Sequence, residues 1–294
     1  MDANTGLPTG ELKLMTPYPI ANDPSAPKAL PDIIDPDRTP IERATARFSL
    51  SGRTAIGEDQ TLNPGALAKE RESSYRWRTR NWIHQGRSGI DGLKATANVH
   101  QDVYFEPVDI TYEDEVDDAV AAVAKARGVD ILLCFAGISQ SKLSVEYPID
   151  SWKQIFDVNV HGTFLVARAV ARDTIARNGS TSMVFTASMS AHVVNTPQPH
   201  PAYAASKAAV HNLARSLAGE WVGHNIRVNS ISPGIMNTRL TSGESQAGLR
   251  KLWLEKCPMG IGDPEDVVGA VILLCSDAGR FITGTDIKID GKCL

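Results

Sequence analysis

The stretch "VDILLCFAGIS", Val129 to Ser139, is apolar almost without interruption. A strand with one face in water alternates apolar and polar side chains. A strand without that alternation must be covered on both faces, as in a parallel sheet between helices. Neighbouring segments make the same demand. "VYFEPVDI" is a short β-rich run ending in Asp109, "TSMVFTAS" ends in Ser188, "HNIRVNSISPG" stops at Pro233–Gly234, and "TGTDIKIDG" is a last strand. Helical patterns lie between them. "TYEDEVDDAVAAVAKARG" sets Val116, Val120 and Val123 at helical spacing behind a Thr111–Asp114 capping-box pattern. "SWKQIFDVNVHGTFLVARAVARDTIARNG" predicts one long helix ending at Gly179, and "PEDVVGAVILLCSD" a helix with Pro near its start. This alternation predicts an α/β fold of Rossmann type. The sheet is doubly wound and parallel, the layers are α/β/α, the crossovers are right-handed, and the ligand sits at the carboxyl ends of the strands.

One domain over 48–294 is expected, preceded by a Pro-rich extended arm over 1–47 whose density of Pro, Asp and Asn suits no fold of its own. The N-terminus lacks the basic-then-apolar order of a signal peptide. No apolar run approaches the roughly 20 residues that span a bilayer. The four cysteines (Cys134, Cys257, Cys275, Cys293) lie far apart, with no C-x-x-C pair and no adjacent His. They predict reduced thiols in a cytoplasmic protein and no metal site. A net charge of −4 argues against nucleic acid or an anionic membrane surface as partner.

Asp109, the "CFAG" turn, Ser188 and "SPG" all fall at strand ends, the edge where such folds build sites. Just beyond, "PAYAASKAAV" sets Tyr203 four residues before Lys207 on one helix face. An ammonium beside a phenol stabilises the phenolate and draws its pKa from about 10 towards neutrality. With a serine hydroxyl nearby, the trio suits proton transfer at an alcohol or carbonyl oxygen while a hydride moves on carbon. The pair alone reads more readily as an exposed Tyr and a solvated Lys. The order of features around it decides: Asp, A-G, "DVNVHGTF", Ser, Y-x-x-x-K, "NSISPG".

That order resembles the short-chain dehydrogenase/reductase family, from about Asp102 to Gly291, with the longer "SMSAHVVNTPQP" loop of its polyol dehydrogenase and ketose reductase branch. The resemblance implies Tyr203 as general acid/base, Lys207 as its tuning cation and ribose ligand, and Ser188 as the catalytic serine, with Ser190 as competitor. It implies that Asn159 steadies a proton-relay water. Cofactor contacts would come from Ile56, Asp109, Tyr203, Lys207, Met236 and Thr238. The implied cofactor is NADP, with NAD as the alternative. The implied substrate is a small alcohol or ketone, polyol or ketose, handled by a homo-oligomer, dimer or tetramer.

The family's T-G-x-x-x-G-x-G turn, whose backbone approaches the pyrophosphate, is not in the sequence. The first strand, "FSLSGRTAI", leads instead into an atypical segment over 57–95. There "GRSGI" (Gly86–Ile90) only echoes the motif. Arg71, Arg76, Arg78, Arg80 and Arg87 suit a solvated face better than a sheet interior. Phe135 replaces the Asn usual before Ala-Gly, and Lys292 replaces a second glycine. The competing readings are a catalytically impaired relative kept for oligomer contacts, and a coding sequence in which a mis-joined exon or shifted frame replaced 57–95. Leu240, Leu249, Leu252, Trp253 and Leu254 suit either an apolar lid or a packed surface helix.

Overall fold

The structure is a computed structural model, and it describes residues 48, 50, 53–58, 74–77, 103–105, 108–238, 241 and 247–293. The arm over 1–47, the "GRSGI" echo, Leu240 and the other arginines of 57–95 except Arg76 lie outside these residues.

Seven strands run parallel: β1 (Thr54–Glu58), β2 (Ser74–Trp77), β3 (Val103–Phe105), β4 (Ile131–Cys134), β5 (Thr181–Thr186), β6 (Ile226–Pro233) and β7 (Asp286–Ile289). Their order in the sheet is β3-β2-β1-β4-β5-β6-β7. The winding reverses between β1 and β4, where a doubly wound sheet opens its crevice. The helices are α1 (Glu113–Arg127), α2 (Ile149–Phe156), α3 (Thr163–Ala176), α4 (Pro201–Trp221), α5 (Ala247–Lys256) and α6 (Val268–Cys275).

β4 shows why the apolar run is continuous. Leu132 and Cys134 face one core with Val116, Val120, Val170 and Val210 from α1, α3 and α4. Ile131 and Leu133 face the other, with Val267, Val271, Leu274 and Cys275 around α6. Each buried aliphatic side chain contributes about 1.5–3 kcal/mol, so a polar residue anywhere in β4 would cost more than its neighbours could offset. Among the described residues no helix is long and apolar enough to cross a membrane.

Several expectations need correction. Arg76 sits within β2, where Ile56 pairs with Arg76 and Gly57 with Trp77. Backbone pairing does not depend on apolar periodicity, so the arginine-rich composition of 57–95 did not preclude a strand. The Thr111–Asp114 capping box does not form. Thr111 instead donates both its amide, at 3.0 Å, and its hydroxyl, at 2.7 Å, to Asp109 Oδ1. Tyr112 is the N-cap of α1 and makes no side-chain cap. Glu113, Asp114 and Glu115 face the helix dipole there. The predicted single helix ending at Gly179 is two helices joined by a π-helical turn, Asp157–Gly162, and it ends at Ala176. Asn178 then takes a left-handed φ of 50°.

The thiols differ as well. Cys134 and Cys275 are buried and outside any disulfide, but Cys257 and Cys293 form a disulfide across 36 residues. The C-terminal turn after β7 returns against the end of α5, and both cysteines pack with Met189, Ile235 and Trp253. Lys292, where a glycine is expected, holds a φ of 60°, the left-handed region that favours glycine.

Candidate active site

A cavity of about 180 Å³ opens at the carboxyl ends of β4, β5 and β6. Its lining includes Phe135 and Gly137 after β4, Thr186 and Ser188 at the end of β5, Tyr203 and Lys207 of α4, and Gly234 to Met236 after β6. Pro201 at the start of α4 presets the first helical turn, so Tyr203 enters the cavity from a fixed backbone. Gly234 allows the close approach of the C-terminal turn, since a Cβ there would lie 2.7 Å from Asp290 Cα.

The structure brings Tyr203, Lys207 and Ser188 together. Lys207 is 3% exposed, its Nζ donates to the Thr186 carbonyl at 2.7 Å, and it lies 5.8 Å from the Tyr203 ring centroid. Burial pushes the Tyr203 phenol above its ordinary 10.0, and a hydrogen bond with Ser188 pulls it partly back. Lowering towards neutrality by Lys207 was the expectation. Desolvation of the phenol outweighs that lowering.

The two serines separate by partner. Ser188 accepts from the Ser190 amide at 3.1 Å and donates to Ser190 Oγ at 3.2 Å, while pairing with Tyr203. Ser190 Oγ accepts from Asn195 Nδ2 at 2.8 Å. Both serines line the cavity, and Ser188 is the one that pairs with Tyr203.

Asn159 does not line the cavity. It is fully buried in the π-helical turn. Its Nδ2 donates to the Ile138 carbonyl at 3.0 Å and to Ser206 Oγ at 2.9 Å, and its Oδ1 accepts from the Ile138 amide at 2.8 Å. The turn of chain after β4 is thereby tied to α4. Gly137 lies in the gap: a Cβ there would sit 3.1 Å from Lys207 Nζ and 3.3 Å from Asn159 Oδ1.

The expected cofactor residues divide. Met236 and Thr238 line the cavity, and Met236 bridges to Gly262. Ile56 packs into the core. Asp109 is buried outside the cavity, and its amide donates to Glu115 at 2.9 Å. Phe135 is core as well as lining, packed among Leu133, Val267 and Val271. Trp253 of α5 is buried on the cavity and Leu254 is exposed, so this helix both packs and covers.

Sequence reading missed His200 and Asn195, although both fall in the quoted loop region between Ser188 and Tyr203. His200 is 8% exposed, its ring lies 5.5 Å from that of Tyr203, and neither ring nitrogen has a partner. Burial pulls its pKa below 6.5. Asn195 Oδ1 and Thr186 Oγ1 are also buried without partners on the cavity.

Comparison with known proteins places this arrangement. Residues 85–291 match a family model described as "Enoyl-(Acyl carrier protein) reductase". A "Galactitol 2-dehydrogenase (L-tagatose-forming)" of Cereibacter sphaeroides is 37% identical over 62% of this chain and 72% of its own length. A "Probable NADP-dependent mannitol dehydrogenase" of Yarrowia lipolytica is 32% identical over 90% of this chain and 98% of its own. The crystal structure of a short-chain type dehydrogenase/reductase from Mycobacterium marinum superposes with a TM-score of 0.74, at 32% identity, over 84% of this chain and 97% of that one. With its parallel sheet, its strand-end cavity and its Ser188, Tyr203 and Lys207 on one wall, this chain belongs to the short-chain dehydrogenase/reductase family of NAD(P)-dependent oxidoreductases.

Proposed function

We propose that the protein moves a hydride between NADP(H), ahead of NAD(H), and a small polyhydroxylated alcohol or its ketose. The observation that carries this reading is the set of unpartnered buried polar atoms on the cavity wall: Thr186 Oγ1, Asn195 Oδ1 and both ring nitrogens of His200. Buried polar groups are almost always hydrogen-bonded. A ligand dense in hydroxyls supplies the missing partners, whereas a plain hydrocarbon ketone would leave them stranded at about 1–3 kcal/mol each. The polyol names of the relatives support the same substrate class.

A bound nicotinamide dinucleotide supplies the hydride donor or acceptor. The chain fits one: a Cβ at Gly137 would crowd Lys207 Nζ at 3.1 Å, so glycine keeps the ammonium clear on a cavity also lined by Met236 and Thr238. Lys207 and Tyr203 would hold its ribose, with Met236 and Thr238 near the nicotinamide and Ile56 and Asp109 towards the adenosine. Tyr203 Oη gives or takes the proton at the substrate oxygen, and Ser188 hydrogen-bonds that oxygen. The Ser188–Tyr203 pairing supports Ser188 over Ser190. Lys207 holds positive charge near the phenol. Asn159 positions the Ile138 backbone rather than touching substrate. We take 48–294 as the catalytic domain and 1–47 as an extension to it.

The same reading makes the protein a cytoplasmic homo-oligomer. The buried thiols Cys134 and Cys275, outside any disulfide, suit a reducing compartment, and there the Cys257–Cys293 link would open. Size-exclusion chromatography and non-reducing gels read both points.

Titration with NADPH and NADH, followed by cofactor fluorescence and melting temperature, tests the reading. Ligand at 100 times its dissociation constant adds about 2.7 kcal/mol of stability. Polyol-dependent reduction of NADP+ should follow, and Tyr203→Phe should lower kcat by about 10²–10⁴, far more than it weakens cofactor binding. Binding without turnover on any polyol or ketose would refute the substrate class. A folded chain that ignores millimolar cofactor would instead be the impaired relative that the missing glycine turn suggests.

A further inference from the structure

A second cluster of side chains lies off the cavity. His192 ends the turn of chain after Ser188, His211 lies one helical turn beyond Lys207 on α4, and Asp286 opens β7. None of the three lines the cavity. His192 Nε2 lies 3.0 Å from Asp286 Oδ2 and 3.0 Å from Ser232 Oγ. Ser230 and Ser232 both donate to Asp286 Oδ1. His211 Nδ1 lies 3.7 Å from Asp286 Oδ1 and 3.5 Å from Ser230 Oγ, and the two imidazoles stand 5.1 Å apart at 69°. The three ligand atoms fall within 4.8 Å of one another, the one such group of three or more His, Cys, Asp and Glu side chains among the described residues.

The hydrogen-bonded network holds His192 closely and His211 only by a long contact. At 3.5 and 3.7 Å the His211 nitrogen is too far from both oxygens for a normal N–H···O bond, which centres near 2.9 Å. Those separations suit a different arrangement. A tetrahedral ion with bonds of about 2.0–2.2 Å holds neighbouring ligand atoms roughly 3.3–3.5 Å apart. Here the imidazole nitrogens stand 3.0 Å from Asp286 Oδ2 and 3.7 Å from Oδ1, with all three ligand atoms within 4.8 Å, so small side-chain shifts bring them to that spacing around one ion. Two imidazole nitrogens and one carboxylate form a donor set for Zn²⁺ or a similar first-row ion, and not for Mg²⁺ or Ca²⁺, which demand more oxygens. Ser230 and Ser232 orient the carboxylate as outer-shell partners do. The His192 and His211 side chains are 21% and 23% exposed, so an ion can reach them while the carboxylate stays 7% exposed.

We infer that His192, His211 and Asp286 form a binding site for a divalent first-row transition ion of the Zn²⁺ class. The site fastens the loop behind Ser188 to α4 and to the edge strand β7. It is structural, and it lies apart from the chemistry at Tyr203.

The test uses untagged full-length protein stripped with a chelator, then titrated with Co²⁺ and Zn²⁺. The expected result is one Co²⁺ per chain with visible ligand-field absorption, displaced by Zn²⁺, and a rise in melting temperature of several degrees with Zn²⁺. His211→Gln and His192→Gln should each weaken binding at least about tenfold and remove most of that rise. His192 stands at the surface, so its variant keeps the test open should the His211 variant not fold. No absorption and no thermal shift at saturating metal would overturn the proposal. So would binding of unchanged affinity in the His192 variant, which would put the ion elsewhere.

Discussion

Replacing Asn159 by Ala removes three hydrogen bonds from a fully buried position. The Ile138 amide and carbonyl lose their side-chain partner, and Ser206 Oγ loses one of its two contacts. An orphaned buried donor or acceptor costs about 1–3 kcal/mol. Ile138 is only half-buried, so the lower part of that range applies, and the two backbone groups together give about 2–4 kcal/mol. For a domain of this size each kcal/mol moves the melting temperature about 2–4 °C, so a fall of at least about 5 °C is expected by calorimetry. The release also frees the chain at Gly137, beside Lys207 Nζ, so kcat should fall more than KM rises. Asn159→Asp sharpens the test. It keeps the acceptor for the Ile138 amide but sets an anionic oxygen against the Ile138 carbonyl. It should therefore be no more stable than the Ala variant at neutral pH, and should recover as acid neutralises it. A melting temperature for Asn159→Ala within about 2 °C of the parent would refute the reasoning, because it would mean that water replaces the amide at no cost.

Burial holds the His200 pKa below 6.5, so the folded chain resists a proton that the unfolded chain accepts. Stability should fall as pH drops below 6.5, and His200→Gln should flatten that slope in denaturant titrations at several pH values. Burial pushes the Cys275 thiol up to about 12, and Cys134 is equally enclosed. At neutral pH neither should react with a thiol reagent in the native chain, and both should react on unfolding. For Tyr203, ketone reduction needs the phenol and alcohol oxidation the phenolate. A pKa above 10.0 leaves the phenol dominant through neutral pH, so reduction should stay flat there while oxidation climbs into the alkaline range. An oxidation optimum at or below neutrality would contradict the assignment.

What was legible in the sequence is what local chemistry dictates. β4 stood out because a strand covered on both faces favours an unbroken apolar run, and the alternating faces of Ile131 to Cys134 show that cover. Tyr203 and Lys207 stood out because helical spacing puts them on one wall. The π-helical turn did not, since one wider turn leaves the apolar pattern on either side nearly unchanged. The failed capping box shows two side chains competing for one backbone, a contest that Asp109 wins through its paired contacts with Thr111. β2 was hidden because its pairing is by backbone. Cys257–Cys293 and the His192, His211 and Asp286 cluster were hidden because crossovers bring together positions as much as 94 residues apart.

Among the described residues, the lining of the cavity lies between Phe135 and Val267, on β4, β5, β6, α4 and the segments that follow them. The contacts that hold this wall are internal to the same stretch: Lys207 to Thr186, Asn159 to Ile138 and Ser206, and Ser188 to Ser190. None of them draws on residues 57–95, where the glycine turn of the family would stand. Among the described residues, the contacts that hold Tyr203, Lys207 and Ser188 in place are therefore local to this stretch. A change within 57–95 that alters cofactor affinity should leave the Tyr203 pKa and the stability cost of Asn159→Ala where they are. A change at Asn159 should disturb the proton-transfer wall first and the cofactor's phosphates least.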